Sequence, residues 1–180
     1  MTIAEVASII KKIAEGFEDA CIRCLADNKS VVYDAVHEQL YSGQDGDGNY
    51  LSPTYTEDDY FRNRKRPWMH YDDETGKTYI GAEGYREWKH DITPPVAGAM
   101  LGLPPRPVDV PNLWIDGTFY RSITVRRQGD SLVVNSEDGA AIVAKYGDRI
   151  LNMGPVAVEY FTTTYMLPAI GSFFKECGYK

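Results

Sequence analysis

The sequence predicts an α+β fold. Long helices at the two ends of the chain pack on a small antiparallel sheet, and a long irregular arm lies between them. Three observations carry this expectation. Apolar residues recur at helical spacing in the first and last segments, they alternate in "RSITVRRQGDSLVVNS", and from Tyr50 to Pro111 both periods lapse among aromatics and prolines. A chain of 180 residues suits one domain, 1–180, with 60–111 as an extended aromatic and proline-rich insertion.

The first helix opens on a capping box, Thr2 followed by Glu5, in which each side chain satisfies an amide left free at the helix start. Ile3, Val6, Ile10, Ile13, Phe17, Cys21, Cys24 and Leu25 then draw one apolar stripe. A weak spot at Asp27-Asn28 predicts a bend before the pattern resumes through Val32, Val36 and Leu40, and Gly43 ends it.

The loop that follows, "QDGDGNY", places Asp45, Asp47 and Asn49 at alternate positions, as several calcium loops do. A twelve-residue calcium loop from Asp45 needs Gly at its sixth position and Glu at its twelfth, where this chain has Tyr50 and Thr56. Asp and Gly also build turns without metal, since Asx side chains cap their own backbone and glycine accepts positive φ. The turn is the favoured reading, with Asp45, Asp47 and Asn49 kept as weak metal candidates.

The middle segment is dense in aromatics, including Trp68 and Trp88, and in prolines from Pro94 to Pro111. "TGKTYIGAEGYREW" suggests a short strand and a helical turn, and the rest reads as extended chain that needs another surface. Two readings stand here: an arm that becomes fixed against other subunits, or a self-packed loop.

Regular structure returns after Pro111. Ile123 and Val125 alternate on one strand, and Leu132 and Val134 on the next, around a glycine-containing turn. "SEDGAAIVAKYGDRI" predicts a short helix capped by Ser136 and closed at Gly147. A second long helix runs from Gly154 onward, with Pro155 in its first turn and Pro168 as a kink or restart.

The formal charge of −7 argues against a general nucleic-acid binder that works by neutralising phosphate. The basic run Arg62-Asn63-Arg64-Lys65-Arg66 sits among acids and reads as a solvated or self-paired patch. No stretch approaches the ~20 apolar residues of a membrane span. The N-terminus also lacks the features of a signal peptide. A reducing cytoplasm is therefore expected, and three cysteines agree with it.

Cys21 and Cys24 form a C-x-x-C inside a helical pattern, which favours core packing over redox or metal use. His37, His70 and His90 are scattered. No nucleophile elbow, phosphate loop or zinc helix is present. Glu74, Glu83 and Glu87 offer carboxylates for a glycosidase pair, with exposed acids as the simpler account. The expectation is a protein that is not an enzyme, with no cofactor.

Read together, "EQLYSGQDGDGNYLSPTY" and "NLWIDGTFYRSITVRRQGDSLVVNSEDGAAIVAKYGDRIL" resemble small virion-morphogenesis proteins of tailed bacteriophages. These are of the tail-completion or head–tail joining type, as in phages of Bacteroides-like gut hosts. The central motif is carried by Leu113, Asp116, Gly117, Thr118, Phe119, Ser122 and Ile123, and the closing pair is Tyr146-Gly147. Gly117-Thr118 reverses the order usual in that motif, and the 60–111 insertion is longer than usual.

The resemblance implies a structural neck or tail protein that acts by ring assembly in the virion, made in the host bacterial cytoplasm. Implied partners are further copies of the chain, portal, connector or tail proteins, and DNA that passes without specific binding. No membrane is involved. Candidate contact surfaces are the strand edge at Ser131 to Asn135, the C-terminal helix around Tyr160 to Tyr165, and the arm. Asp116 and Thr118 are expected to cap a helical turn that carries Phe119 and Tyr120 inward. The rivals are a sugar- or host-surface-binding module that stacks Trp68, Trp88 and Trp114 on sugar rings, and a cell-wall glycosidase.

Overall fold

The structure is a computed structural model and describes residues 2–63 and 65–179. Arg64 of the basic run lies outside the described residues. Helix α1 (Ile3–Asp27) begins with the expected capping box: the Thr2 side chain accepts from the Glu5 amide, and Glu5 accepts from the Thr2 amide. Asn28 breaks the rod, adopting non-helical backbone while its amide and side-chain nitrogen both donate to the Cys24 carbonyl. Helix α2 (Lys29–Tyr41) follows and buries Val32, Ala35, Val36, Gln39 and Leu40. Gly43 turns the chain at φ 71°, where a β-carbon would lie 2.5 Å from Val110.

The sheet is two separate antiparallel hairpins. Strands β1 (Met69–Tyr71) and β2 (Thr78–Ile80) pair Met69 with Ile80. Strands β3 (Ile123–Gln128) and β4 (Ser131–Ser136) pair Ile123 with Ser136 and Val125 with Val134, in the register that the alternation implies. The main core joins α2 to the start of β3: Val36 and Leu40 pack with Leu51, Val110, Phe119, Tyr120, Ile123, Ile150 and Leu151. A smaller core of Cys24, Val32 and Phe161 links α1 to the C-terminal helices.

Those helices are α7 (Pro155–Phe161) and α8 (Leu167–Glu176), joined by a π-helical turn over Thr162–Met166. Pro168 has no amide to return to the helical ladder, and the wide turn just before it accommodates that gap while the backbone stays helical from Phe161 through Leu167. Helix α8 packs along α1, where Phe17 meets Phe174 at 6.2 Å between ring centroids and Gly16 makes room for Phe173. Gln39 fastens α2 to the α7 entry, donating to Asn152 O at 3.0 Å and accepting from the Gly154 amide at 2.6 Å.

Two expectations need correction. Helix α6 (Ala140–Tyr146) is not capped by Ser136. Gly139 precedes it, and the Ser136 hydroxyl is instead 2.6 Å from that of Ser122, pinning β4 to the turn before β3. The insertion is also more regular than an extended arm. Besides β1 and β2 it holds the four-residue α3 (Asp59–Arg62) and the twelve-residue α4 (Gly81–Ile92), where only a helical turn was expected.

The insertion is tied to the body at several points. The Glu38 carboxylate on α2 accepts from the Met100 and Leu101 amides, and the Tyr41 hydroxyl donates to Pro94 O. What raised the aromatic content was an inner aromatic cluster. Phe61 stacks on Tyr85 at 3.9 Å, with Tyr55 and Trp68 edge-on to Tyr85.

Candidate functional site

The motif from Leu113 to Ile123 is a folded corner that joins the insertion to the main core. Asp116 accepts from the Thr118 amide at 2.9 Å in an Asx turn that leads into helix α5 (Thr118–Ser122). The N-cap of that helix is Gly117 with no side-chain cap, so neither Asp116 nor Thr118 is the helix cap that was expected. That acceptor role holds its carboxyl below the usual carboxylate range. Gly117 sits at φ 80° directly before the helix, and a β-carbon there would come within 2.9 Å of the Trp114 ring. The Gly-Thr order therefore puts glycine at the left-handed position and threonine at the first helical one. Phe119 and Tyr120 point inward as expected and are buried, and Ile123, also buried, opens β3. Ser122 donates to Phe119 O at 2.7 Å.

Leu113 is the strained member. Its φ of 57° makes it the one non-glycine at positive φ among the described residues, a conformation that costs about 1–3 kcal/mol. Contacts on both sides enforce it. The Tyr120 hydroxyl donates to Asn112 O at 2.5 Å, the Trp114 amide donates to the Asn112 side chain at 3.2 Å, and the Lys89 ammonium donates to Trp114 O. Tyr146 faces this corner from α6, and Gly147, at φ 85°, closes that helix.

Between the corner, α4 and α6 lies a cavity of about 280 Å³, walled by Tyr55, Phe61, Tyr85, Lys89, Trp114 and Tyr146 among others. Lys89 is 1 % exposed. Burial, with Arg106 nearby, holds it down at about 7. Arg106 is buried too, and its bonds go to Val110 O, Thr93 O and Thr93 Oγ1 rather than to an acid. The Tyr55 hydroxyl, Asn112 Nδ2 and Arg106 Nε are buried without a partner. Burial raises Tyr55 to about 12. Tyr55 was visible in the sequence only as one aromatic among many. Lys89 and Arg106 carried no signal, because neither belongs to a recognisable motif.

The other candidates fall elsewhere. Asp45 spends its carboxylate on the amides of Asp47 and Asn49, both at 2.9 Å, and Asp47 pairs with Arg149. Gln44 bridges to Tyr50 across the loop. The loop is thus built as an Asx turn closed by an ion pair. Among the described residues no group of three or more His, Cys, Asp or Glu side chains is placed to hold a metal.

Cys24 is buried in the smaller core, where burial raises its thiol, and Cys21 is half-buried. Trp68 and Trp88 are half-buried and pack on one another at 5.4 Å and against His70. Trp68 precedes β1 and Trp88 is on α4, and both pack against the inner face of the β1–β2 hairpin at His70. Glu87 pairs with Lys77 and Glu83 with Arg86, while Glu74 is exposed in the hairpin turn. No helix among the described residues is long and apolar enough to cross a membrane.

No protein-family model matches the chain, and neither a curated protein nor a solved structure matches it.

Proposed function

We propose that this chain is a structural protein of a tailed-phage virion, a head–tail connector or tail-completion protein that works as one copy in a ring. The observation that carries an assembly role is the uncovered apolar seam of α1. Ile3, Val6, Ile10, Ile13 and Phe17 follow the alternating three- and four-residue spacing of a helix-pairing seam. Helix α8 covers only its C-terminal part, and Ile3 is 91 % and Ile10 61 % exposed. The residues flanking the seam, Ala7, Ile9, Ala14 and Gly16, carry no charge that would repel an approaching helix.

Two further surfaces fit the same role. The outer face of the β1–β2 hairpin presents Met69, Tyr71 and Ile80, all more than half exposed. Strand β4 pairs only with β3 among the described residues, so its other edge has no strand partner. Two different contact surfaces on one molecule are what head-to-tail ring closure requires. The placement at the phage neck rests on the resemblance of the Leu113–Ile123 and Tyr146–Gly147 motifs.

Imaging of purified phage particles tests the reading. The chain is expected in a ring on the portal–tail axis, and its absence from particles would overturn the assignment.

A further inference from the structure

The cavity beside the motif corner has Lys89 in its lining, and Arg106, which does not line it, is close enough to act on Lys89. Lys89 and Arg106 are both nearly fully buried, and neither makes an ion pair among the described residues. The carboxylates nearest in the fold are committed. Asp58 pairs with Lys145 at the rim and accepts from the Tyr60 amide, and Asp109 accepts from the Thr56 amide and hydroxyl. Of the nearby buried atoms left without partners, the Tyr55 hydroxyl belongs to a residue that lines the cavity, Arg106 Nε and Asn112 Nδ2 belong to residues outside its lining, and all three are able to donate. Buried donors in folded proteins almost always find acceptors, so what is missing here is an acceptor, and a negatively charged one by the sign of its neighbours.

The rest of the cavity restricts what carries that acceptor. Tyr55, Phe61 and Tyr85 form a continuous aromatic wall, with centroids 3.9 to 6.2 Å apart. Trp114 and Ile142 line the cavity with them. A flat apolar body matches these surfaces, and about 280 Å³ lies at the lower end of the range for small-molecule sites.

We propose that this cavity binds a small carboxylate with a flat apolar body, the anion lodged against Lys89 and the body against the aromatic wall. Lys89 holds the anion, with the Tyr55 hydroxyl positioned beside it as a second donor. The Lys89 ammonium is tethered by its bond to the carbonyl of Trp114, the residue after the strained Leu113. The inference does not depend on the assembly reading.

Titration calorimetry on the full chain tests it with benzoate and its neutral isostere benzamide. Benzoate is expected to bind about tenfold more tightly than benzamide, and Lys89→Met should lower benzoate affinity by about tenfold, to the benzamide level. Ile142→Trp leaves Lys89 in place, fills the cavity from α6, and should abolish binding of both. Circular dichroism establishes that each variant is folded. Should Lys89→Met fail to fold, Ile142→Trp together with the benzoate–benzamide comparison on the unaltered chain decides the matter. No benzoate binding, equal affinity for both probes, or benzoate binding untouched by Ile142→Trp would each overturn the proposal.

Discussion

Lys89 on α4 donates its ammonium to the main-chain carbonyl of Trp114, bonding the insertion to the motif corner from the inside. A lysine held at about 7 by burial makes stability depend on pH. Below about pH 7 it is charged in both the folded and the unfolded chain, and the folded state bears the whole cost of a buried charge. As pH rises above 7 the folded state loses its proton while the unfolded lysine, near 10.4, keeps its own. Stability therefore rises with pH.

Thermal midpoints between about pH 6.5 and 8.5 should climb in the unaltered protein and climb less in Lys89→Met. The window stops there because the Cys24 thiol, raised by burial, works in the opposite direction at higher pH. Parallel profiles for the two proteins would show that Lys89 is not the group responsible.

Gln39 is buried at 2 % exposure and uses both ends of its amide between Asn152 and Gly154. Gln39→Leu keeps the volume but strands a carbonyl and an amide, at a cost of about 2 kcal/mol. Urea unfolding should show that loss as a lower midpoint with an unchanged slope. A loss of a few tenths would mean that water replaces the amide.

The loop at Asp45 should behave as a turn. Asp45→Ala removes the acceptor for two amides and is expected to cost about 1 kcal/mol. Calcium at millimolar concentration should leave the midpoint of the unaltered protein where it was. A calcium-dependent rise that Asp45→Ala abolishes would restore the metal reading.

How much of this was legible in the sequence varies with the range of the interaction. The Thr2–Glu5 box, the break at Asn28 and the Asp116 turn depend on neighbours a few residues apart, and the β3–β4 hairpin on alternation around a short turn, so local pattern sufficed. Helix α4 was underestimated because Gly81 and Gly84 dilute its helical signal. Gly84 is required by a tertiary contact, since a β-carbon there would lie 2.7 Å from the Tyr79 backbone. Ser136 looked like a cap because serine often caps, yet its partner Ser122 lies across the hairpin. The cavity was invisible for the same reason. Tyr55, Lys89, Arg106 and Trp114 are far apart in sequence, and nothing about a lone lysine says that it will be buried.

The uncovered half of α1 allows folding to be separated from assembly. Ile3 and Ile10 are 91 % and 61 % exposed, so Ile3→Glu combined with Ile10→Glu removes little burial within the molecule. Its unfolding free energy should stay within about 0.5 kcal/mol of the original, as for surface changes generally. Phe17→Ala is the internal contrast, because Phe17 packs on Phe174 and its loss should cost about 1–2 kcal/mol. If the seam is the contact between copies, the double glutamate variant folds normally but fails to enter phage particles, since each new charge would have to be buried against an apolar neighbour. Quantitative mass spectrometry of purified particles, with the variant supplied in place of the original chain, reads this directly. Incorporation at the original level would remove the seam from the assembly interface and leave the β1–β2 face and the β4 edge to account for it.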